Sequence, residues 1–569
     1  MNSQRSLLII ALLVLSFFMF QQWQIRDAAS TPGVDAASAP EPTNILPSVE
    51  DSQNVVPGAD GAVSSASPSS SANVPTSTDL ESGDTIRVVT DVMDIQIDLT
   101  GGDLVDARLL EFAERQGESE RFHILHRLPG HTYTAQSGLV GRDGTDDATN
   151  PRPTFSATQS NFYIGSADVL EVPLTYVRES DGVEFIKTYI FRRGDYAVDV
   201  RYDIVNHSDA SKRVAMYGQL RQTMVDASGS MFMPTYRGAA FSTQDTRYEK
   251  YSFGKIQDRN LQRTTTGGWV AMLEHYFVTA WVPNQLEQNV LYTMQAPNNE
   301  ALIGFTSRTI QVEPGATGQL QSTLFLGPKD QDRLGALANN LNLTVDYGFM
   351  WWLAIPLFSL MQFIFGLVGN WGVVIILVTL IVKLVLYPLT KAQYTSMAKM
   401  RMVAPKMKAL KEKFGDDRQK LSAAMMKLYQ EERVNPLGGC LPMLLQLPIF
   451  LTLYWVLLES AEFRHADFAL WITDLSSRDP YFILPLLMGA SMWLMQHLQP
   501  TPITDPMQKK IMQLMPIIFT VFFLFFPSGL VLYWLTSNLI SIAQMLWIYR
   551  QIEKNGFKQK KPKTPKVTK

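Results

Sequence analysis

"GNWGVVIILVTLIVKLVLYPLTKAQYTSMAKM", from Gly369 to Met400, contains about nineteen residues, Trp371 to Leu389, that are apolar except for Thr379 and Lys383. At 1.5 Å of rise per residue this run matches a hydrocarbon core about 30 Å thick. It reads as a membrane-spanning helix with a charge inside it. A lysine at mid-membrane costs roughly 3 kcal/mol on insertion scales, so a compensating environment is expected. Snorkelling offers one: Lys383 lies about six residues, roughly 9 Å by helix rise, from the cytoplasmic end, and its stem covers part of that distance. Polar company offers another. Thr379 precedes Lys383 by four residues on the same helical face. Gln446 lies in a later apolar run, and Ser537, Asn538 and Gln544 lie in the last. Each alone is interhelical glue worth under about 1 kcal/mol. With a charge among them they point to a shared, hydrated cavity.

Working outward, further apolar runs lie at about 437–461, 481–496, 511–526 and 530–548, and a first one at Leu7–Phe20. With 371–389 these make six spans. Charge orients them. Residues 391–433 carry eleven Lys/Arg against five Asp/Glu, a net of +6, and 549–569 carry eight against one, a net of +7. Since the whole chain has a formal charge of −3, the remainder carries −16. Basic segments beside spans face the cytoplasm, so both ends are placed there and the acidic bulk on the other side. Residues 462–480, with four acids and two bases, fall outside, and "PSG" at Pro527–Gly529 makes a tight outer turn. A span at "FMWWLAIPLFSLMQFIFGLVGN" would invert every later loop. Residues 346–370 are therefore expected to form an interfacial amphipathic helix, with Trp351 and Trp352 at headgroup level.

The first apolar run is preceded by Arg5 and followed by Trp23. A cleaved signal peptide competes with an uncleaved anchor over residues 1–26; the lack of a close small-x-small site and the interfacial tryptophan favour the anchor. Residues 27–84, rich in Ser, Ala and Pro ("SSASPSSSANVPTSTD"), read as a flexible linker. Folding resumes at "VMDIQIDL", where Met93, Ile95, Ile97 and Leu99 alternate with Asp94, Gln96 and Asp98, the mark of strands with one wet face. Val198, Val200, Tyr202 and Ile204 repeat the pattern, and "SDG" at Ser180–Gly182 separates two strand-like runs. Residues 85–345 are expected to form a large antiparallel β-sandwich on the non-cytoplasmic side.

Between the spans, Met400, Val403, Met407, Leu410 and Phe414 are spaced 3, 4, 3, 4, and Leu421, Met425 and Leu428 continue the seam after "GDD". This predicts a helical hairpin over 391–433, with Pro405 a reservation about continuity. Pro388, Pro436, Pro442, Pro448, Pro485, Pro516 and Pro527 stand in or at the ends of spans. They read either as ordinary kinks or as helices bent around a cavity. The basic tail 551–569 suits anionic lipid, RNA or topology alone. Signals for enzymes are poor: HExxH, P-loop and G-x-S-x-G motifs are absent from the sequence. His123, His126 and His131 fall in what reads as an exposed loop without metal spacing, and the single Cys440 allows no internal disulfide. No metal or cofactor is expected. Lys383 as general base for Ser537 is the one enzymatic arrangement, and it lacks an oxyanion hole.

"YPLTKAQYTSMAKM", "VNPLGGCLPMLLQLPIF", "FALWITDLS" and "FPSGLVLYW" closely resemble signature segments of the YidC membrane protein insertase family in its Gram-negative form. The resemblance is strong over about 345–550, and the order of segments matches throughout. It implies a five-helix insertase core over 371–550 in the bacterial inner membrane, with a periplasmic β-supersandwich. It also implies an insertase and folding chaperone for nascent inner-membrane proteins, acting alone or with the Sec translocon and receiving chains from ribosomes through the tail and hairpin. The core would hold a cytoplasm-open groove lined by Lys383, Thr379, Gln446, Ser537 and Trp534. Leu444, Phe450, Phe519, Phe522 and Phe523 would form a hydrophobic slide into the phospholipid bilayer. Met400, Met407, Leu410, Phe414 and Met425 would make the cytoplasmic hairpin. The family's groove charge is usually arginine, and here it is lysine, which keeps the charge but loses the planar fork of donors. Trp534 stands where the family has a tyrosine. A solute or ion transporter using the charged cavity is the rival reading.

Overall fold

The computed structural model describes residues 85–146, 151–225, 236–415, 417–432, 441–498 and 506–555. The expected anchor 1–26, the linker 27–84 and most of the basic tail lie outside the described residues. The chain divides between Val345 and Asp346 into two compact units.

The first unit is built from strands β1 (Thr85–Val89) to β20 (Thr317–Pro328), numbered in chain order, with short helices α1 (Phe253–Asp258) and α2 (Gln331–Leu337). They form an eleven-stranded and a nine-stranded sheet, antiparallel apart from a short parallel pairing of β1 with β7 (Asn161–Tyr163). One core joins them: Ile95, Ile97 and Leu139 of the first sheet share a buried cluster with Val198, Val200 and Tyr202 of the second. Burying each such side chain contributes roughly 1.5–3 kcal/mol.

Two expectations change here. Asp94 and Asp98, assigned to the wet face, are buried, because Arg87 binds Asp94 through two hydrogen bonds of 2.8 and 2.7 Å and Arg127 reaches Asp98 at 2.8 Å. His123 and His126 belong to β4 (Arg121–Leu128) and His131 to β5 (His131–Val140), not to an exposed loop. Their nitrogens serve one another and a carboxylate: His126 bonds His131, and His123 Nδ1 lies 3.1 Å from Asp106.

A polar knot crosses the sandwich interior. Lys187, on β9 (Glu184–Arg192), is fully buried and donates to the carbonyls of Gly101 (3.0 Å), Gly102 (2.8 Å) and Ser137 (3.1 Å). Beside it Arg152 pairs with Asp103 and, at 2.7 Å, with Asp146. Gln136 donates to Asp103 at 2.8 Å.

The second unit is helical: α3 (Trp351–Val368), α4 (Trp371–Val385), α5 (Tyr387–Phe414), α6 (Arg418–Glu431), α7 (Leu441–Glu459), α8 (Ile483–Leu498), α9 (Pro506–Phe523) and α10 (Ser528–Asn555). The expected span 371–389 is interrupted. Alpha helix α4 ends at Val385, Leu386 takes φ −82° and ψ 0°, and α5 leaves at 67°. Pro388 explains the break, since it sits in the first turn of α5, where its missing N–H costs no helical bond. Lys383 accordingly lies in the last turn of α4, not six residues inside a straight span. A cation there also complements the partial negative charge of the helix C-terminus.

Among the described residues two helices are long and apolar enough to cross a membrane, Gly348–Val368 and Ser528–Lys554, or three if the bent pair α4–α5 counts as one span. Shorter apolar helices cover Gln446–Glu459, Ile483–Leu498 and Lys510–Phe523. The 348–368 helix, expected to lie in the interface, has the length and hydropathy of a span.

Pro405 does not break α5, which packs on α6 through Val403, Met407 and Leu428, with Met400, Leu410 and Met425 against them. Phe414 is half-buried at the far end of α5. Lys406 and Glu432 pair across the hairpin at 2.5 Å.

Small residues let helices close up in a bilayer. At Gly489 an added Cβ would lie 1.9 Å from Thr520 Oγ1, so α8 and α9 approach as near as a glycine allows. Gly489→Ala is expected to cost about 1–3 kcal/mol of stability, read as a lower unfolding midpoint in mild detergent. Thr520→Ala removes the clashing hydroxyl and should recover part of the loss. A Gly489→Ala protein as stable as wild type would contradict this packing.

Candidate functional site

Three helices converge on Lys383. Its ammonium donates to Gln446 Oε1 of α7 at 3.1 Å and to Ser541 Oγ of α10 at 2.9 Å. Gln446 turns its amide nitrogen to Ser537 Oγ at 3.1 Å, one turn before Ser541 on the same face of α10. Gln544 donates to the Lys383 carbonyl at 3.3 Å, so α10 also satisfies backbone at the bend. Both acceptors of the ammonium are neutral. They replace part of its hydration without cancelling its charge, which leaves a positive potential among apolar helices.

The polar set is packed. Thr379, Lys383, Ser537, Asn538 and Ser541 are buried, with Lys383 only 6% exposed, and Gln446 is half-buried. Thr379, expected beside the lysine, donates its hydroxyl to the Ile375 carbonyl of its own helix at 2.6 Å. Asn538 bonds Ser491 of α8 at 2.9 Å. Ser541 was not among the sequence candidates, although it stands four residues after Ser537 and so on the same helical face. Tyr394 of α5 was also unforeseen. It is buried against Met545 and Ile548, and its hydroxyl donates to the Ser541 carbonyl at 3.3 Å. The base of the hairpin is thereby tied to the turn of α10 that holds Lys383.

Trp534 departs from its expected place among the polar groups. It packs in an aromatic cluster with Phe450 (ring centroids 4.7 Å, edge-on), Phe523 (5.1 Å) and Phe519 (6.3 Å). Phe522 joins through Phe523 at 5.6 Å. Four of the five slide candidates therefore meet on α7 and α9 around one tryptophan of α10. The side chain of Leu444, the fifth, lies outside the described residues. On α9, Leu514, Ile517, Ile518 and Val521 are exposed, an apolar face suited to lipid.

Two family models match the chain: the YidC periplasmic domain over residues 85–360 and the 60Kd inner membrane protein over residues 363–555. The membrane protein insertase YidC of Pseudoalteromonas atlantica is 50% identical over 560 residues, covering 98% of this chain and 100% of that protein. The YidC of Shewanella sp. strain ANA-3 is 52% identical with the same coverage. The chain belongs to the YidC membrane protein insertase family. An active YidC insertase crystal structure with the first transmembrane domain resolved is 22% identical, with a TM-score of 0.38 over 82% of this chain and 92% of that one. Membership makes the chain an inner-membrane protein with a β-rich periplasmic domain and a helical C-terminal region. The family is one of insertases rather than bond-making enzymes, so the Lys383–Ser537 hydrolase arrangement is set aside.

Proposed function

We propose that this chain inserts and helps fold inner-membrane proteins by offering their polar segments a charged recess around Lys383 while their apolar segments pass along the aromatic cluster of Phe450, Phe519, Phe523 and Trp534. The observation that carries this reading is the Lys383 ammonium, held by Gln446 and Ser541 from two other helices with no carboxylate among its hydrogen-bond partners in the described residues. A polar segment crossing lipid loses its water, and that loss is the main barrier. Lys383 lowers the barrier for a segment bearing acidic groups, because a carboxylate can displace the weaker neutral acceptors. No nucleotide is required for this exchange. The relatives' shared designation as membrane protein insertases supports the activity and disfavours a solute transporter.

The finer topology is part of the proposal: an uncleaved first span, a helix α3 at the outer interface, five further spans, and both termini in the cytoplasm. The +6 of the hairpin segment and the +7 of the tail support this orientation. The same basic segments suit contact with ribosomes, and cooperation with the Sec translocon is proposed from family resemblance alone.

Photocrosslinking tests the path. A photoreactive residue at Phe519 is expected to capture ribosome-bound nascent chains of a small inner-membrane protein, and one at Trp493, an exposed position on α8, is not. Equal capture at both positions, or none at Phe519, would overturn the proposed route.

A further inference from the structure

The segment "FALWITDLS", Phe468 to Ser476, plays no part in the recess around Lys383. Its first residues form a minimal hairpin closed by a bridge between Ala469 and Ile472, with Phe468 N–H donating to the Ile472 carbonyl at 2.9 Å. Leu470 sits at the tip in the left-handed region, φ +59°, and is 88% exposed. That conformation suits glycine or asparagine and penalises a branched side chain. A turn selected for its backbone alone would not carry leucine there. The bonds around the turn hold that strain, and an apolar partner for the side chain would offset its cost.

The hairpin is stiff. Asn370, the N-cap of α4, donates to the Phe468 carbonyl at 2.9 Å, and Gly372 leaves no room for a Cβ against the Phe468 ring. Trp471 donates its indole N–H to Asp479 at 3.0 Å, and Asp479 also accepts the Leu484 N–H at the start of α8. Asp474 accepts from His465 N, Ser476 N and the hydroxyls of Ser476 and Ser477. Ser528 and Gly529 donate to the Ser477 and Leu475 carbonyls, tying the loop to the start of α10. Leu470 is thus held outward by structure on all sides of its turn.

We propose that Leu470 is a fixed anchor seated in the headgroup–acyl boundary of the outer leaflet, so that the hairpin holds the outer ends of α4, α8 and α10 at a set depth. This rests on the topology proposed above, which places residues 462–480 on the non-cytoplasmic face. Lipid is the occupant because the exposed apolar surface continues on both flanks. Leu367 (72% exposed) and Val368 end α3 just before Asn370, and Tyr481 and Phe482 lead into exposed Leu486 and Leu487 of α8. A leucine side chain has no hydrogen-bonding group to offer a polar partner.

The test uses the full chain with Cys440→Ser and a single Leu470→Cys carrying an environment-sensitive fluorophore, in phosphatidylethanolamine–phosphatidylglycerol vesicles. Leu286→Cys, at a 90% exposed leucine of the β unit, serves as the aqueous reference. At position 470 the expected result is strong quenching by lipids spin-labelled near the headgroup, and iodide quenching at least about threefold weaker than at 286. Iodide quenching equal to that at 286 would overturn the anchor. So would shielding from both iodide and lipid quenchers, which would indicate a protein cover. A separate Arg478→Cys variant, exposed on the same loop, reports sidedness by reaction with a membrane-impermeant thiol reagent on spheroplasts. Failure there with lipid quenching intact would fault the topology and leave the lipid contact standing.

Discussion

Lys383→Ala is expected to reduce insertion of a passenger with an acidic translocated segment by at least about tenfold, and Lys383→Arg to retain most of it. A hydrogen bond to a charged group contributes about 1.5–3 kcal/mol, and a factor of ten corresponds to about 1.4 kcal/mol. Losing the one cation that Gln446 and Ser541 hold together therefore costs a factor of ten or more wherever the passenger depends on it. Arginine keeps the charge and can reach the same two acceptors, although its planar fork orders them differently. The decisive comparison is a matched passenger whose acidic residues are replaced by asparagine or glutamine. Its insertion should fall far less in Lys383→Ala, because the aromatic route through Phe450, Phe519 and Trp534 is untouched. Equal losses for both passengers, measured by protease protection in inner-membrane vesicles, would show that Lys383 supports helix packing and does not attract charge.

The second large effect lies in the β unit. Lys187→Met is expected to destabilise it by about 3 kcal/mol, because the Gly101, Gly102 and Ser137 carbonyls lose their shared donor in a dry interior. In a domain of this size that is a fall of about 10 °C in Tm. The pH dependence has a definite sign. Burial pushes the Lys187 ammonium down to about 7, against an opposing pull from Asp103, whereas in the unfolded chain it titrates near 10.4. Between those values the unfolded state binds the extra proton, so stability rises with pH. Below about 7 both states hold the proton, and the cost of the buried charge is fully present. Wild type should therefore gain about 2 kcal/mol on Lys187→Met between pH 7 and pH 9. Unfolding midpoints that keep a constant gap from pH 6 to pH 9 would show that Lys187 keeps its proton throughout, and would contradict the lowering by burial.

Several features are legible in the sequence because they depend on neighbours along the chain. Alternation at Met93, Ile95 and Ile97 reports a strand with its inner face in the core. The 3, 4, 3, 4 spacing from Met400 to Phe414 reports the seam on which α5 meets α6. The polar residues Lys383, Gln446 and Ser537 stood out because each interrupts an apolar run. The bend at Leu386 was missed by hydropathy, which ran smoothly to Leu389. The signal was Pro388, which fits the first turn of a new helix better than the last turn of an old one.

What the sequence by itself determined is which segments avoid water, which carry charge, and which faces of helices and strands are apolar, since these follow from side-chain chemistry at fixed periods. The tertiary structure decided the partners. It put Ser541 rather than Thr379 against the Lys383 ammonium, moved Trp534 among the phenylalanines, buried Asp94 and Asp98 under arginines, and joined Lys187 to carbonyls fifty or more residues away. Such pairings depend on the angle and register at which elements pack. Packing is settled by the summed contacts of all their side chains, and no local window of sequence contains that sum.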